Sequence, residues 1–309
     1  MKILGIGNAI VDVICKVDDD YLSQNKLEKG TMKLIFEESE FQELISALKI
    51  NKTVSGGSVA NSIVGLSQLG NSVGFIGKIS DDDFGAKYEE GLKRENVNFF
   101  YSKKPEKIPT GTCLILVTPD SERTMCTYLG VSGKINENDL DIDAIKKSEI
   151  IFLEGYLWDE GDAKKAFEKA IMQANKVAMS LSDKFCVDRH KPHFLDLVKH
   201  KLDIIFANEG EICSLINTKN FEEVISFAKK IDKHLIITRG DKGAISVYKN
   251  EVYEIEAKNN LKIVDLTGAG DLFAAGYLHG FFNNLSIKEC LIKATDMSSK
   301  IIQQIGARL

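Results

Sequence analysis

Short apolar runs alternate with helical patterns through the second half of the chain. Ile150-Ile151-Phe152-Leu153 and Ile204-Ile205-Phe206 are two such runs, and each precedes a segment with apolar residues at helical spacing. Near-continuous apolar strands that alternate with helices are typical of a parallel sheet covered on both faces. We therefore predict a doubly wound, mainly parallel α/β sheet, with helices at residues 161–174, 191–199, 209–216 and 221–231.

The first half begins with the same kind of pattern. Residues 2–17 are mostly apolar and predict one strand that continues past Gly7-Asn8. Residues 53–76 predict a strand, a glycine turn, a helix from about Ser58 to Leu69 and a further strand. Gly70 directly after this helix is a typical C-terminal stop.

Other strands of the first half do not fit this alternation. Residues 112–118 and 123–129 predict two strands joined by the turn sequence Pro119-Asp120-Ser121. We predict that such strands form a small second sheet that serves as a lid. The chain would then be a single α/β domain over residues 1–309, with lid strands inserted at about 12–36 and 98–130.

Composition narrows the class of protein. The chain has 309 residues, 44% of them hydrophobic, which is enough for a sizeable core. A formal charge of −5 without a basic run gives no reason to expect nucleic acid as the partner. No apolar stretch approaches the roughly 18 residues of a membrane span. Six cysteines without a C-x-x-C pair predict reduced, mostly buried thiols, as in a cytoplasmic enzyme. The oligomeric state stays open between a monomer and a homodimer.

A glycine-rich turn near the end of the chain is the sharpest feature. Asp265-Leu266-Thr267-Gly268-Ala269-Gly270-Asp271 lies between the strand-like residues 262–264 and an apolar helical segment from Leu272. With Thr267 as the predicted N-cap, the glycines would leave N–H groups open for an anion at the helix N-terminus. Asp271 alone could also be an acid that favours the helix dipole.

This segment resembles the C-terminal motif of the ribokinase (PfkB) family of sugar and nucleoside kinases. The resemblance implies a ribokinase-like fold, and it implies that Asp271 is the base on the acceptor hydroxyl. It also implies that the amides of Gly268, Ala269 and Gly270 form an anion hole for the transferred phosphoryl group. Positioning and charge neutralisation dominate phosphoryl transfer, so these groups suit that reaction.

The acceptor side resembles the family in two more segments. Gly56-Gly57 permits a bend before a helix, and the resemblance implies that the pair is a hinge and that Gly57 and Asn61 bind ribose hydroxyls. Asp12, an acid within an apolar strand, corresponds to the family's sugar-binding Asp, with Asn8 as its neighbour. The alternatives are an ordinary helix start at the glycine pair and an edge-strand acid at Asp12.

The nucleotide side lacks the G-x-x-x-x-G-K-[ST] pattern. Asn208-Glu209-Gly210-Glu211 resembles the family's N-x-x-E motif, which implies Mg²⁺ support at Glu211 through water, although Glu211 could be a first-turn acid only. The segment Thr238-Arg239-Gly240 resembles the T-x-G nucleotide loop of the family, which implies that Thr238 and Gly240 contact phosphate or ribose. The residues implied to bind ATP are Asn208, Thr238, Gly240, Thr267, Gly268 and Gly270.

The resemblance is greatest to the adenosine-kinase branch and implies transfer of the ATP γ-phosphoryl group to the 5′-hydroxyl of a nucleoside. A sugar kinase acting on ribose or a fructose-type substrate is the alternative, and a nucleotide sensor without catalysis is a third hypothesis. Arg123 could contact phosphate or cover the sheet. A requirement for a monovalent cation stays open. Gly5-x-Gly7 does not indicate dinucleotide binding, because Ile10 replaces the third glycine.

Overall fold

The structure is a computed structural model that describes residues 1–120, 122–159 and 162–309. Its strands are numbered in chain order. β1 to β14 are Ile3–Ile6, Ile10–Lys16, Met32–Ile35, Ile50–Gly56, Val73–Ile76, Asn98–Phe99, Gly111–Val117, Arg123–Tyr128, Ile150–Glu154, Val177–Ser180, Ile204–Asn208, His234–Thr238, Ala244–Tyr248 and Glu251–Ile255.

The helices are numbered in the same way. α1 to α11 are Asp19–Gln24, Glu38–Ser46, Ser58–Gln68, Asp83–Arg94, Ile142–Lys147, Ala163–Gln173, Lys184–His200, Glu209–Leu215, Phe221–Ile231, Ala269–Phe282 and Ile287–Ile301. The predicted helix at 161–174 begins at Ala163 in the structure, and Gly161 lies outside the described residues. Ser121 of the predicted turn also lies outside them.

The larger sheet has nine strands in the order β14-β13-β12-β11-β10-β9-β1-β5-β6. The pairs from β12 through β6 are parallel, and β13 and β14 add an antiparallel hairpin at one edge. The predicted doubly wound, mainly parallel fold is therefore confirmed. The edge hairpin was not predicted from the sequence.

Helices cover both faces of this sheet because each strand alternates its side chains between two cores. One core joins Ile3, Phe75 and Phe152 to helices α3, α10 and α11. The other joins Leu4 and Leu153 to helices α5 to α9. The carboxyl ends of the parallel strands, where open sheets of this kind bind ligands, therefore lie between two helical layers.

The second sheet has five strands in the order β3-β8-β7-β2-β4. It is mixed, since β2 pairs with β7 and β3 pairs with β8 in parallel, whereas β4–β2 and β7–β8 are antiparallel. β4 belongs to this sheet, whereas β6, which falls in the predicted lid region 98–130, pairs with β5 at the edge of the larger sheet.

Two predicted strands are wrong. Residues 2–17 form two strands in different sheets, because the chain leaves the larger sheet after Ile6 and enters the second sheet at Ile10. Residues 262–264 form no strand. Val264 donates its N–H to the carbonyl of Ile302, and Ile263 is 62% exposed beside a cavity, so this apolar segment lines a pocket instead of pairing with a sheet.

The remaining expectations from composition concern thiols and membranes. No disulfide joins the six cysteines, all of which lie in the described part of the chain, and five of them are buried, as predicted. Within residues 1–120, 122–159 and 162–309, no helix combines the length and the apolar character that crossing a membrane requires.

Candidate active site

The glycine-rich turn leads into helix α10. Gly268 is the N-cap, with a φ of +79°, so the prediction that Thr267 caps the helix is wrong. Thr267 is instead held by Asp265, whose Oδ1 accepts hydrogen bonds from the Thr267 N–H at 3.0 Å and hydroxyl at 2.7 Å. A Cβ at Gly268 would lie 2.7 Å from the Cα of Ala307, so the turn requires glycine on two grounds.

Only some of the backbone N–H groups of this turn donate hydrogen bonds to described residues. The Ala269 N–H donates to the Leu266 carbonyl at 3.2 Å. The hydrogen bonds found among the described residues leave the N–H groups of Gly268, Gly270 and Asp271 without a partner. A Cβ at Gly270 would meet no atom within 4 Å, because this position faces open space. The turn thus presents backbone donors to a cavity, as an anion site requires.

Asp271 lies in the first turn of α10 and is held by helix α3. Its Oδ1 accepts from the Ser58 hydroxyl at 2.6 Å, and its Oδ2 accepts from the Asn61 amide at 3.1 Å. Burial raises the pKa of this carboxyl to about 6, against the lowering effect of Ser58, Asn61 and the Arg308 charge. A carboxylate held by neutral donors at a cavity wall is placed to accept a proton.

The glycine pair before α3 brings the second sheet against this site. Gly57 has a φ of +98°, and a Cβ there would lie 2.2 Å from the carbonyl oxygen of Asn8. A Cβ at Gly56 would lie 2.4 Å from Oδ2 of Asp12. Both glycines are thus required for close approach, and the Asp12 carboxyl lies directly over the bend.

Asp12 lies on strand β2, with its carboxyl against Gly56 of the bend before α3. Burial raises its pKa to about 7, partly offset by the charges of Arg308 and Arg123, and the Asp271 charge raises it further. Ile10 and Ile14 share its face of the strand, and they belong to an apolar cluster with Cys113, Ile115, Val117, Met125 and Leu129. The carboxyl therefore stands within an apolar face of the second sheet.

Glu154, which the sequence analysis did not select, connects Asn8 to helix α3. It is 1% exposed, and its two oxygens accept from the Asn8 amide at 2.9 Å and the Val59 N–H at 3.0 Å. Burial raises its pKa to about 7. The sequence could have indicated Glu154, because this acid directly follows the apolar run 150–153, and the carboxyl ends of parallel strands are where ligands bind.

Both amide side chains predicted to bind substrate already have protein partners. Asn8 is 3% exposed, and besides its bond to Glu154 its oxygen accepts from Ser132 at 3.3 Å. Asn61 donates to Asp271 and accepts from Arg308 Nε at 3.1 Å. In this conformation the two side chains position carboxylates.

A cavity of about 420 Å³ brings three predicted motifs together at the carboxyl ends of the strands. The predicted residues on its wall are Asn208, Glu211, Thr238, Gly268, Ala269, Gly270 and Asp271. A second cavity of about 550 Å³ shares Thr238, Ala269 and Gly270 with the first and adds Gly240 and the segment 257–261. Thr267 lines neither cavity, since its side chain turns to Asp265.

Glu211 lies in the first turn of α8, 4% exposed. Its carboxylate accepts from the N–H of Asn208 at 3.0 Å and from the amide of Asn208 at 2.5 Å, and Asn208 in turn caps the helix. Burial raises the pKa of Glu211 to about 7. A carboxylate has about four acceptor positions, so two stay available toward the cavity for a metal-bound water.

A bound Mg²⁺ would need most of its ligands from water and phosphate. In the described part of the chain, no three His, Cys, Asp or Glu side chains form a group that could hold a metal ion. Magnesium in phosphoryl-transfer sites usually keeps several waters and uses few carboxylates. The isolated carboxylate of Glu211 fits that coordination.

Two arginines that approach the acceptor side come from distant parts of the chain. Arg123, on strand β8, lies 2.5 Å from Oδ2 of Asp265. This contact with the glycine-rich turn is neither of its two predicted roles, and the contact with phosphate stays a prediction. Arg308, which no sequence pattern singled out, reaches Asn61 and lowers the pKa values of Asp12 and Asp271 by its charge.

Fold and site together define an ATP-dependent kinase with an alcohol acceptor: a strand-end cavity, backbone donors at a helix N-terminus and a carboxyl beside them. The profile of the pfkB family of carbohydrate kinases matches residues 6–309. The chain belongs to this family, as its resemblance to the ribokinase motifs predicted.

Individual relatives differ in their acceptors. The chain is 35% identical to the adenosine kinase from Sinorhizobium meliloti, covering 100% of this chain and 95% of that one, with a TM-score of 0.90. It is 24% identical to adenosine kinase 2 of Arabidopsis thaliana over 98% of this chain and 94% of the relative. It is also 30% identical to fructokinase of Escherichia coli over 73% of this chain and 76% of the relative.

Proposed function

We propose that this kinase transfers the γ-phosphoryl group of ATP to the 5′-hydroxyl of adenosine. The observation that supports the proposal is that the Asp12 carboxyl lies within the apolar face of the second sheet. A carboxyl beside the glycine bend suits the two vicinal hydroxyls of ribose, and the partly buried Ile14, Met125 and Leu129 of the apolar cluster on that sheet suit a purine ring. A free sugar has no apolar part to cover that surface.

A further cavity supports a base on this side. It has a volume of about 350 Å³ and lies between the second sheet and helix α7, with Leu34, Phe36, Tyr128, Leu129 and His190 on its wall. Leu129 belongs both to this cavity and to the apolar cluster around Asp12. Lys134 and Arg189 also line this cavity, and small-molecule pockets typically combine apolar and aromatic walls with a small number of polar groups.

The reaction itself is assigned to the first turn of α10. The acceptor oxygen attacks the γ-phosphorus, its proton passes to Asp271, and the bond to the β–γ bridging oxygen breaks as ADP leaves. The N–H groups of Gly268 and Gly270 would donate to the phosphoryl oxygens. Mg²⁺ supplies charge neutralisation of the phosphates, and Glu211 would orient one of its waters.

The nucleotide would lie across the two adjoining cavities. Thr238, Ala269 and Gly270 border both, which suits phosphates at the junction and the remaining nucleotide in the larger, more apolar one. Gly240, with a φ of +60°, allows the loop after β12 to follow the ligand.

A panel of acceptors assayed with ATP and Mg²⁺ tests the proposal. Adenosine should give ADP and AMP, identified by mass, with kcat/KM at least about tenfold above that for ribose or fructose. The 30% identity to a fructokinase makes a sugar kinase the second candidate, and preference for fructose or ribose would establish it. Asp271→Asn serves as the matched control for transfer by a contaminating kinase.

A further inference from the structure

The segment after helix α11 returns to the candidate active site. The Gly306 N–H donates to Oδ2 of Asp265 at 2.8 Å, and Ala307 packs against Gly268 so closely that no Cβ fits there. The Leu309 carbonyl accepts from Gln68 at 3.1 Å. Contacts on both sides of Arg308 therefore fix the backbone that places its side chain.

The guanidinium of Arg308 determines how Asn61 is oriented. Arg308 Nε donates to Oδ1 of Asn61 at 3.1 Å, and arginine has only donors. The amide oxygen of Asn61 must therefore face Arg308, so its NH₂ group must face Asp271, where it lies 3.1 Å from Oδ2. Without the arginine, the reversed amide would become available whenever the Asp271 carboxyl is protonated, since its O–H could then donate to the amide oxygen.

The positive charge of Arg308 also lowers the pKa values of the Asp271 and Asp12 carboxyls. Asp271 is faced by Ser58 and Asn61 of α3, by Asp12 of the second sheet, and by Glu154 and Tyr156 at the end of β9. Three of these groups are acids or a phenol, whose ionised forms oppose ionisation of Asp271. Arg308 is the cation whose charge lowers the pKa of Asp271, and Arg123 joins it only at Asp12.

One buried nitrogen of Arg308, Nη2, receives no hydrogen-bond partner from the described residues. Buried donors are normally satisfied, so an open one is available to a further partner. A buried open donor beside two carboxyls is suited to a group that arrives with the substrate.

We propose that Arg308 is a positioning residue of the acceptor site, which orients Asn61 and holds the carboxylate of Asp271 ionised toward the acceptor hydroxyl. This inference rests on the proposed role of Asp271 as the base. If it holds, Arg308 acts on the reaction through Asn61 and Asp271, and does more than pack the segment after α11 against the protein.

The experiment compares wild type with Arg308→Gln and Arg308→Lys, and uses Arg94→Gln as the matched control. Arg94 is 73% exposed on α4 and pairs with Glu90, so its loss removes a charge without touching the cleft. Steady-state rates for adenosine phosphorylation are measured from pH 5 to 9. Independently of turnover, the carboxyl of Asp271 is titrated by carbon-13 NMR in each variant.

For Arg308→Gln we expect a kcat about 10- to 100-fold lower, with the KM for ATP within about twofold, since only the base is affected. The Asp271 carboxyl should titrate at a higher pH than in wild type. Arg308→Lys, which keeps the charge but not the planar donor set, should recover part of both effects. Arg94→Gln should leave all of these values unchanged.

A double-mutant cycle tests the path through Asn61. If Arg308 acts by orienting that amide, adding Asn61→Ala to Arg308→Gln should lower kcat by much less than the product of the single effects. Independent effects that multiply, or an unchanged kcat and unchanged Asp271 titration in Arg308→Gln, would overturn the inference. If wild type phosphorylates no acceptor, the proposed function fails, while the NMR titration still decides whether Arg308 controls Asp271.

Discussion

Replacing Asp271 by Asn should abolish phosphoryl transfer and at the same time stabilise the fold. The Asn carbonyl can accept from Asn61 as the carboxylate does, and its NH₂ group can donate to the Ser58 hydroxyl, which can rotate to accept. Both contacts survive, so the variant should fold. The proton acceptor is lost, and positioned acid–base groups contribute about 10²- to 10⁴-fold to rates.

The gain in stability follows from the raised pKa of Asp271. Its pKa rises from the ordinary value of 3.8 to about 6 because the carboxyl is buried. The folded state therefore binds this proton more tightly than the unfolded state, and wild type loses stability as the pH rises from about 4 through 6. The full effect above pH 7 is about 3 kcal/mol at most, and the cleft beside the carboxyl reduces it toward about 2 kcal/mol.

Urea unfolding of both proteins at pH 5 and pH 8 measures this difference. About half of the effect is already present at pH 5, so the advantage of the variant should grow by roughly 1 to 1.5 kcal/mol between the two pH values. Loss of the Asp271 charge also lowers the pKa values of Asp12 and Glu154, which adds to the gain. An advantage that is equal at both pH values, or more than a tenth of the wild-type kcat, would refute the reasoning.

Three further predictions concern the same site. Gly268→Ala should lower the free energy of unfolding by about 2 kcal/mol, because φ is +79° and the new Cβ meets Ala307. Gly270→Ala should change the free energy of unfolding by less than about 1 kcal/mol but lower kcat, because its methyl group enters the cavity. Thermal unfolding and initial rates separate the two variants. Asp12→Asn should raise the KM for adenosine about 10- to 100-fold with little change in the KM for ATP, as loss of a charged hydrogen-bond partner predicts. Glu211→Gln should raise the Mg²⁺ concentration for half-maximal rate, measured by titration at constant ATP, and an unchanged value would exclude Glu211 from the metal site.

The sequence was most informative where one physical requirement dominates. The buried strands of the parallel sheet must be apolar on both faces, so runs such as 150–153 and 204–206 predicted the fold directly. Gly268 before α10 and Gly57 before α3 are required by positive φ values and close contacts, Gly56 by a close contact alone, and these glycines marked both places. The 420 Å³ cavity then unites motifs that are far apart along the chain.

Residues that depend on long-range contacts were not predictable in the same way. Arg308 reaches Asn61 across 247 positions, and no local pattern distinguishes it from a surface arginine. The segment 262–264 has the composition of a strand, yet it binds the end of α11 through Val264 and faces a cavity. An apolar pattern indicates that a segment is buried or lines a pocket, but it does not indicate which part of the protein or which ligand contacts it.

The two acids of the Asp265–Asp271 motif show how environment separates structural from chemical roles. Asp265 accepts from Thr267 and Gly306 and contacts the Arg123 guanidinium, so it joins the turn, the segment after α11 and the second sheet. Both oxygens of Asp265 are engaged by these partners, and Asp265 lines neither of the two cavities. The hydrogen-bond donors to Asp271 are neutral, and Arg308, whose charge lowers the pKa of Asp271, donates to Asn61. That arrangement keeps Asp271 ionised near neutral pH while leaving it basic enough to receive a proton, which is the balance that a general base requires.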